Sequence, residues 1–542
     1  MGPKGRLAGL LVLAALPPVL EEVVLLGVGL RAARGLAPQV TAVWPYDSYH
    51  DLRWLLVYHD SWLTFLLGLA GVTVTRGLLS AGLTALAWPA GVPRPSRGWL
   101  VRRNLEVALL AALVISPWAA LSVAFSAVSL SWYLFGSLGP MVVLAPFLAR
   151  AGVVDRWWRG LPTIEMFGWS ALNFVVLTVA GALITSVPGW WAVGVAGLAG
   201  LANGLLWQRV VADAAVPARV RWARVPVAPV AIVLTMAGAV WAQSLIGIAA
   251  GRQGEWRPPI LTHRLPDRVP QAVVVLAGHD SRWGGEPAAD PRVERFSYRG
   301  LDAEGRPLPY RPEATHRSLD SASVLLAAQV DALHRRTGRP VALVGESEGA
   351  MVARTYLEKL PRGPVTATVL FSPLVQAGRT YYPPPGHAGW GMAAGWELRV
   401  ISWLANLPRS VKDQPDGRFV RSLLIDAPFY RNRTLCPVPG VRMIAFLPTI
   451  SAAEAPPGEY SRVPVYEEPA FHGGLLGRRT AEDRVVAFLA GEPVEHPRRE
   501  YQTLQRLGAA WQAPPLAVSL NPIWSATREG DPARTGRVCE PR

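Results

Sequence analysis

Seven apolar runs of membrane-spanning length lie in the first half of this 542-residue chain, and they constrain its fold more than any other feature. Each run is close to the ~20 residues that cross ~30 Å of hydrocarbon. The runs cover residues 7–30, 62–89, 104–127, 129–149, 166–187, 189–207 and 226–250. The sequence therefore predicts an α-helical transmembrane bundle of about seven helices over residues 1–250, with the lipid bilayer as its partner.

Basic residues occupy alternate loops between these runs, and this pattern orients the bundle. Lysine and arginine cluster at 4–6, 94–103, 150–159 and 209–224, whereas the turns near Ser129 and Pro188 carry none. Since basic loops stay in the cytoplasm, we expect a multi-pass protein of the cell membrane with a cytoplasmic N-terminus and an extracytoplasmic C-terminal region. A cleaved signal peptide at residues 7–20 would change the helix count but not that side.

The net charge of +15 comes largely from these loop arginines, so we expect no nucleic-acid partner. After a linker at 251–258 the pattern changes to strands alternating with helices. Apolar strand-like runs at 272–277, 341–344 and 441–447 are separated by segments of helical periodicity. Such alternation predicts α/β architecture with a mostly parallel sheet covered on both faces, which we place at residues 259–497.

Ser347 lies in the pentapeptide Gly345-Glu346-Ser347-Glu348-Gly349, directly after a β-branched run. Two glycines permit a sharp strand-to-helix reversal that exposes the serine hydroxyl, and the following helix N-terminus favours developing negative charge. The plainer interpretation is a tight turn without chemistry. Two other turns decide between these readings, because Gly278-His279 follows an early strand and Phe471-His472-Gly473-Gly474 follows the last one.

Together these three turns resemble the α/β-hydrolase superfamily over about residues 259–497. The resemblance implies that Ser347 is the nucleophile, that His472 is its general base, and that backbone N–H groups of Glu348 and His279 stabilise the oxyanion. It also implies an acidic residue after the penultimate strand. Glu454 is the expected acid, with Glu459 and Asp426 as alternatives.

Two segments extend this domain. Residues 377–435 separate two core strands and are too long for a connector; they are rich in tyrosine and tryptophan, which indicates a cap over the site or a small stabilising subdomain. Residues 498–542 form a tail rich in proline and arginine, for which we expect disorder or a surface position. Cys436 and Cys539 either form one disulfide or remain two thiols.

Charged residues inside apolar runs are costly in lipid. Glu21 and Glu22 in the first run and Arg76 in the second lie at similar depth, which predicts an intramembrane ion pair that fixes packing or, alternatively, lines an ion path. The loop between these runs repeats Tyr-His-Asp. It is expected to form an interfacial helix or to dock on the exterior domain, with a metal site at His50, Asp51, His59 and Asp60 as a weaker reading.

No phosphate-binding loop, zinc motif or cofactor motif accompanies these features, so we expect no metal and no cofactor. The resemblance implies a membrane-anchored serine hydrolase that cleaves carboxylic esters or thioesters of acylated or lipid-like molecules outside the cytoplasm. Two alternatives stay open. The chain could be a transporter or scaffold with a catalytically idle exterior domain, or an acyltransferase that acts on cell-envelope acceptors.

Overall fold

The computed structural model describes residues 2–125, 130–215, 226–235, 256–375, 382–406, 414–428, 433–448, 463–468, 470, 472–493, 506–514 and 539. They form an N-terminal helical region followed by an α/β domain.

The N-terminal region consists of long apolar helices and one shorter, more polar helix, α2 (Tyr46–Val57). They are α1 (Pro3–Gly27), α2 (Tyr46–Val57), α3 (Trp62–Ala87), α4 (Arg97–Phe125), α5 (Leu130–Ala151), α6 (Ile164–Ser186) and α7 (Trp191–Ala215), with a 3₁₀ helix at Arg31–Thr41. Four of these helices, α1, α3, α4 and α6, are long and apolar enough to cross a membrane. The predicted run at 226–250 is described only up to residue 235.

Two local features explain where α3 begins and how closely α7 packs against α1. Ser61 and Thr64 form a capping box that begins α3, which satisfies N–H groups that a helix start leaves unpaired. Gly200 lets α7 approach α1 closely, because a Cβ at that position would lie 2.5 Å from the carbonyl oxygen of Ala14. Small residues at helix crossings are the usual way for membrane helices to pack.

The loop between the first two long helices differs from the expected interfacial helix. Its residues form α2, in which most side chains are buried, Tyr46, Tyr49 and His50 among them. A helix with this many polar groups can be buried only if partners satisfy them. Those partners come from α1, α3 and the C-terminal segment, where the carbonyl of Gln512 accepts a hydrogen bond from Arg53 at 2.5 Å.

The α/β domain is built on a six-stranded sheet in which every pairing is parallel. Its strands are β1 (Ala272–Leu276), β2 (Val293–Arg295), β3 (Val341–Glu346), β4 (Val365–Phe371), β5 (Arg442–Pro448) and β6 (Val465–Glu468), in the order β2-β1-β3-β4-β5-β6. The strands are almost wholly buried, as expected for a sheet covered on both faces.

Helices cover both faces of the sheet. α8 (Leu319–Thr337) and α9 (Glu348–Lys359) lie on one face, where Leu326 and Met351 join the core. The α12 helix (Arg479–Leu489) and a single turn at Pro259–Thr262 lie on the other. The predicted mostly parallel α/β architecture is confirmed.

The insertion between β4 and β5 contains α10 (Met392–Asn406) and α11 (Arg418–Ile425). Ala394 and Leu398 of α10 belong to the same buried cluster as the helical bundle, whereas Leu423 of α11 belongs to the core beside the sheet. The insertion therefore packs against both regions.

The C-terminal tail is not wholly on the surface, contrary to expectation. Trp511 is buried in the bundle, where its ring stacks on Phe174 at 4.5 Å and its indole N–H donates to Thr178 Oγ1 at 2.9 Å. Cys436 and Cys539 form a disulfide. An aromatic residue with a buried hydrogen-bond partner outweighs the disorder tendency of the surrounding proline-rich sequence.

Candidate active site

The sheet order places the candidate residues at one point. β2 lies on one side of β1, and β3 to β6 lie in order on its other side. Parallel sheets bind ligands at the carboxyl ends of strands where the order reverses in this way. Gly278-His279 follows β1 and Ser347 follows β3, its neighbour, so both turns meet at this reversal.

Ser347 occupies a strained turn. Its backbone lies at φ 54° and ψ −115°, which non-glycine residues rarely adopt. Only glycine fits at the two flanking positions, because a side chain there would collide with neighbouring backbone. A Cβ on Gly345 would lie 2.6 Å from the backbone of Gly349, and one on Gly349 would collide with the Leu276 carbonyl. The sequence therefore folds here into the predicted elbow between β3 and α9.

His472 lies in the turn after β6, 125 positions from Ser347 along the chain. Its Nε2 is 2.7 Å from the Ser347 hydroxyl oxygen. A base within this distance can accept the hydroxyl proton as the oxygen attacks an electrophile. The structure thus brings together two residues that lie far apart in the sequence.

The expected acid is in a part of the chain outside the described residues. Glu454 and Glu459 both lie there, in the segment 449–462 after β5. Asp426 is described and ends α11 in the insertion.

His279 carries a side-chain contact that the sequence did not indicate. Its Nδ1 lies 2.7 Å from Oε2 of Glu348, whose side chain is almost wholly buried. This contact connects the turn after β1 with the start of α9, the helix that follows Ser347. The N–H of Glu348 belongs to the first helical turn, whose N–H groups form no bond within the helix. The backbone N–H groups of Glu348 and His279 are the two that the sequence predicted for the oxyanion.

Phe419 of α11 is a second residue that the sequence did not single out. Its ring stacks on the ring of His279 with centroids 4.2 Å apart. The ring of His316 also stacks on His279, with centroids 4.7 Å apart. The insertion therefore contacts the turn beside the nucleophile. A signal for this contact would have been the single aromatic residue on a short helix that is otherwise basic and aliphatic.

Glu346 directly precedes Ser347 and is buried. Burial raises the pKa of its carboxyl to about 8, while a hydrogen bond from the backbone of Leu476 acts in the opposite direction. Burial therefore favours the protonated form of the Glu346 carboxyl. Leu476 belongs to the turn that carries His472, so Glu346 connects the elbow with the histidine turn.

A cluster of potential metal ligands is formed by His279, Asp280 and His316, whose ligand atoms lie within 4.8 Å of one another. His316 Nε2 and Asp280 Oδ1 are hydrogen-bonded at 2.9 Å. Their mutual contacts account for the arrangement, and we assign no metal to it. Among the described residues the Tyr-His-Asp repeats do not converge, because His59 contacts the insertion and His50 contacts α1.

The intramembrane charges find other partners than expected. In the described chain Arg76 does not pair directly with Glu21 or Glu22. It donates to Asp51 Oδ2 at 2.6 and 2.9 Å, and Asp51 Oδ1 is 2.9 Å from His50 Nδ1. His50 Nε2 in turn lies 2.9 Å from Glu21. Glu21 and Arg76 are therefore linked through α2, in what we call the buried charge network (Glu21, His50, Asp51, Arg76).

Glu22 belongs to a separate contact, with Arg34 Nε at 2.5 Å. A cavity of about 760 Å³ borders the network between α2, α3 and the insertion, where Trp54, Tyr58 and Trp390 contribute to its wall. Polar groups that satisfy each other in this way are typical of packing contacts between membrane helices.

Comparison with protein-family models, with curated proteins and with solved structures finds no match for this chain. The functional argument therefore depends on the geometry of the site itself.

Proposed function

We propose that this protein is a membrane-embedded serine hydrolase that cleaves carboxylic esters or thioesters through an acyl-enzyme. The observation that carries the proposal is the 2.7 Å contact between His472 Nε2 and the hydroxyl of a strained, glycine-flanked Ser347 at the sheet reversal. Strained residues at such points are most often functional.

The reaction follows from these positions. Ser347 Oγ attacks the acyl carbonyl while His472 takes its proton, and the negative charge that forms on the carbonyl oxygen faces the N–H groups of Glu348 and His279. His472 then protonates the leaving alcohol or thiol. Water, activated by the same imidazole, hydrolyses the acyl-serine and restores the enzyme. Glu454 is proposed to orient His472 for these steps.

The proposal includes a site outside the cytoplasm. The insertion contacts the end of the bundle at which α3 begins, where His59 Nε2 accepts from the Ala393 N–H at 2.7 Å and its carbonyl accepts from Gly391 N–H at 2.8 Å. The arginine-rich loop 94–103 follows the opposite end of α3. Since basic loops stay in the cytoplasm, this arrangement supports an exterior α/β domain.

A membrane-impermeant fluorophosphonate probe on intact cells tests the proposal. We expect labelling of the wild-type chain and none of Ser347→Ala, with equal amounts of both proteins in the membrane. Labelling that requires permeabilised cells would contradict the exterior site. A folded wild-type protein that resists the probe even after permeabilisation would favour the idle scaffold.

Acyl transfer uses the same residues and differs only in the acceptor. Product analysis with and without an added alcohol separates the two reactions, because a transferase forms a new ester in proportion to the acceptor whereas a hydrolase releases the free acid.

A further inference from the structure

The α10 helix presents an apolar stripe to its surroundings. Trp396, Val400, Trp403 and Leu404 are 40%, 50%, 63% and 43% exposed. Positions four and three residues apart lie on one face of a helix. The remaining described residues from 256 onward contribute only Val324 and Ile425 to the exposed large apolar side chains, so this exposure is concentrated in the insertion.

A neighbouring side of α10 is bound to the bundle. Ala393, Ala394 and Leu398 are buried in the bundle cluster, and Glu397 Oε1 accepts a hydrogen bond from Ser116 Oγ of α4 at 2.6 Å. The exposed stripe therefore continues the outer surface of the bundle. On α4 that surface is also apolar, since Leu113, one turn from Ser116, is 63% exposed.

The depth of this contact can be counted along α4. Ser116 lies 13 residues beyond Arg103, the last basic residue at the arginine-rich end. At ~1.5 Å per residue this is about 20 Å, two thirds of the way through a ~30 Å hydrocarbon core. Glu397 of α10 contacts Ser116 at this depth, which corresponds to the outer leaflet. Tryptophan and tyrosine are enriched near the membrane interface.

The insertion connects this stripe with the catalytic turn. Arg399 of α10 binds Asp416 at 2.7 and 2.9 Å, directly before α11. Phe419 of α11 then stacks on His279. The insertion therefore carries the exposed stripe on α10 and, on α11, the ring that contacts the proposed oxyanion turn.

We propose that α10 is an interfacial helix whose exposed stripe is inserted into the outer leaflet, and that the acyl ester cleaved at Ser347 is taken from this leaflet. The occupant of the stripe is lipid. The second statement rests on the proposed hydrolase function and specifies its substrate class as a long-chain acyl ester held in a bilayer.

Fluorescence quenching tests the insertion independently of catalysis. The only two cysteines of the chain form a disulfide, so Trp403→Cys supplies one reactive thiol for an NBD fluorophore in the full-length protein. The matched control is Val324→Cys, 57% exposed on α8. Both are placed in phosphatidylcholine nanodiscs with or without phosphatidylcholine spin-labelled at acyl carbon 5.

We expect the spin-labelled lipid to quench the fluorophore at position 403 by about twofold or more, as for a helix buried ~5–10 Å in the interface, and to leave position 324 unchanged. Iodide in the aqueous phase should quench the fluorophore at position 324 more strongly than the one at position 403. A fluorophore at 403 that iodide reaches and the lipid does not quench would overturn the insertion, whether water or another protein covers the stripe.

Substrate delivery is tested by a ratio of rates. Trp403→Glu should lower the rate on a long-chain ester in phosphatidylcholine vesicles, relative to the rate on a soluble acetate ester, by about tenfold, because a charge opposes interfacial burial. Val324→Glu should leave the ratio unchanged. An unchanged ratio in Trp403→Glu would overturn delivery from the leaflet, whereas a wild-type protein inactive on both esters would instead refute the hydrolase function and leave the quenching result valid.

Discussion

Two histidine contacts, one in each region of the molecule, have similar distances and opposite character. His472 lies 2.7 Å from a serine that is held in a strained backbone conformation. His50 lies 2.9 Å from both Glu21 and Asp51 inside a closed set of charges, on a regular helix. Proximity of titratable groups is common to both, so proximity alone does not indicate catalysis.

The two contacts differ in how the surrounding fold holds the histidine and its partners. In the membrane region every member of the buried charge network offsets the charge of its neighbour, which is the arrangement that lets ionised groups exist in a low-dielectric interior. At the sheet reversal the backbone is strained and the glycines leave no room for side chains, which turns a hydroxyl towards the histidine. The first arrangement stabilises a packing, and the second is the one on which we base the proposed chemistry.

Loss of His472 should have the largest effect on chemistry. We expect His472→Ala to reduce turnover of a soluble ester by about 10³–10⁶-fold, because the serine loses the base that accepts its proton. Steady-state kinetics of the purified protein measure this, with unchanged thermal unfolding as the control for folding. Turnover within tenfold of wild type would assign the base role elsewhere.

Loss of Arg76 should act on stability and leave the catalytic site intact. Arg76→Leu removes the guanidinium that faces Asp51 and Asp47, and loss of one partner of a buried charge pair typically costs about 3–5 kcal/mol. Arg102→Leu is the matched control, since Arg102 forms an exposed pair with Glu106 that contributes about 0–1 kcal/mol. Thermal unfolding in nanodiscs measures both.

Normal stability of Arg76→Leu together with loss of its reaction with the fluorophosphonate probe would contradict the distinction between the two regions. That outcome would make the charge network part of the function, in line with a transport or coupling role.

The buried tail gives a third prediction. Trp511→Ala should destabilise the bundle by about 3 kcal/mol, since it removes a large buried ring and its hydrogen bond to Thr178. Trp190→Ala is the control, because Trp190 is 73% exposed. Equal melting temperatures for the two variants would show that the tail is not part of the folded core.

The sequence predicted best those features that are encoded locally. Glycines around Ser347, β-branched strands and apolar runs each depend on neighbours in the chain, and the structure confirms the parallel sheet and four apolar helices of membrane-spanning length. The contacts that were missed are long-range. Arg76 with Asp51, and Trp511 with Phe174, depend on how separate segments pack, and no periodic pattern records this.

The smallest effect is expected from Glu346, through pH. Its folded-state pKa of about 8 is above the value of 4.5 for the free side chain, so the native state holds a proton that the unfolded chain loses. Stability should therefore fall as pH rises from about 5 to 8. Glu346→Gln keeps the shape without the titration and should flatten this dependence.

Melting temperatures of wild type and Glu346→Gln across this pH range provide the measurement. Parallel curves would mean that the Glu346 carboxyl is ionised in the folded protein, and negative charge would then lie next to the nucleophile.

Peptide mass spectrometry after fluorophosphonate treatment of membranes tests the central claim most directly. Trypsin should release residues 337–354, a peptide whose only serine is Ser347. The account predicts that this peptide carries the phosphonate mass in the wild type and that His472→Ala loses most of it. An unmodified peptide from folded protein, or a modification mapped to another residue, would contradict the account.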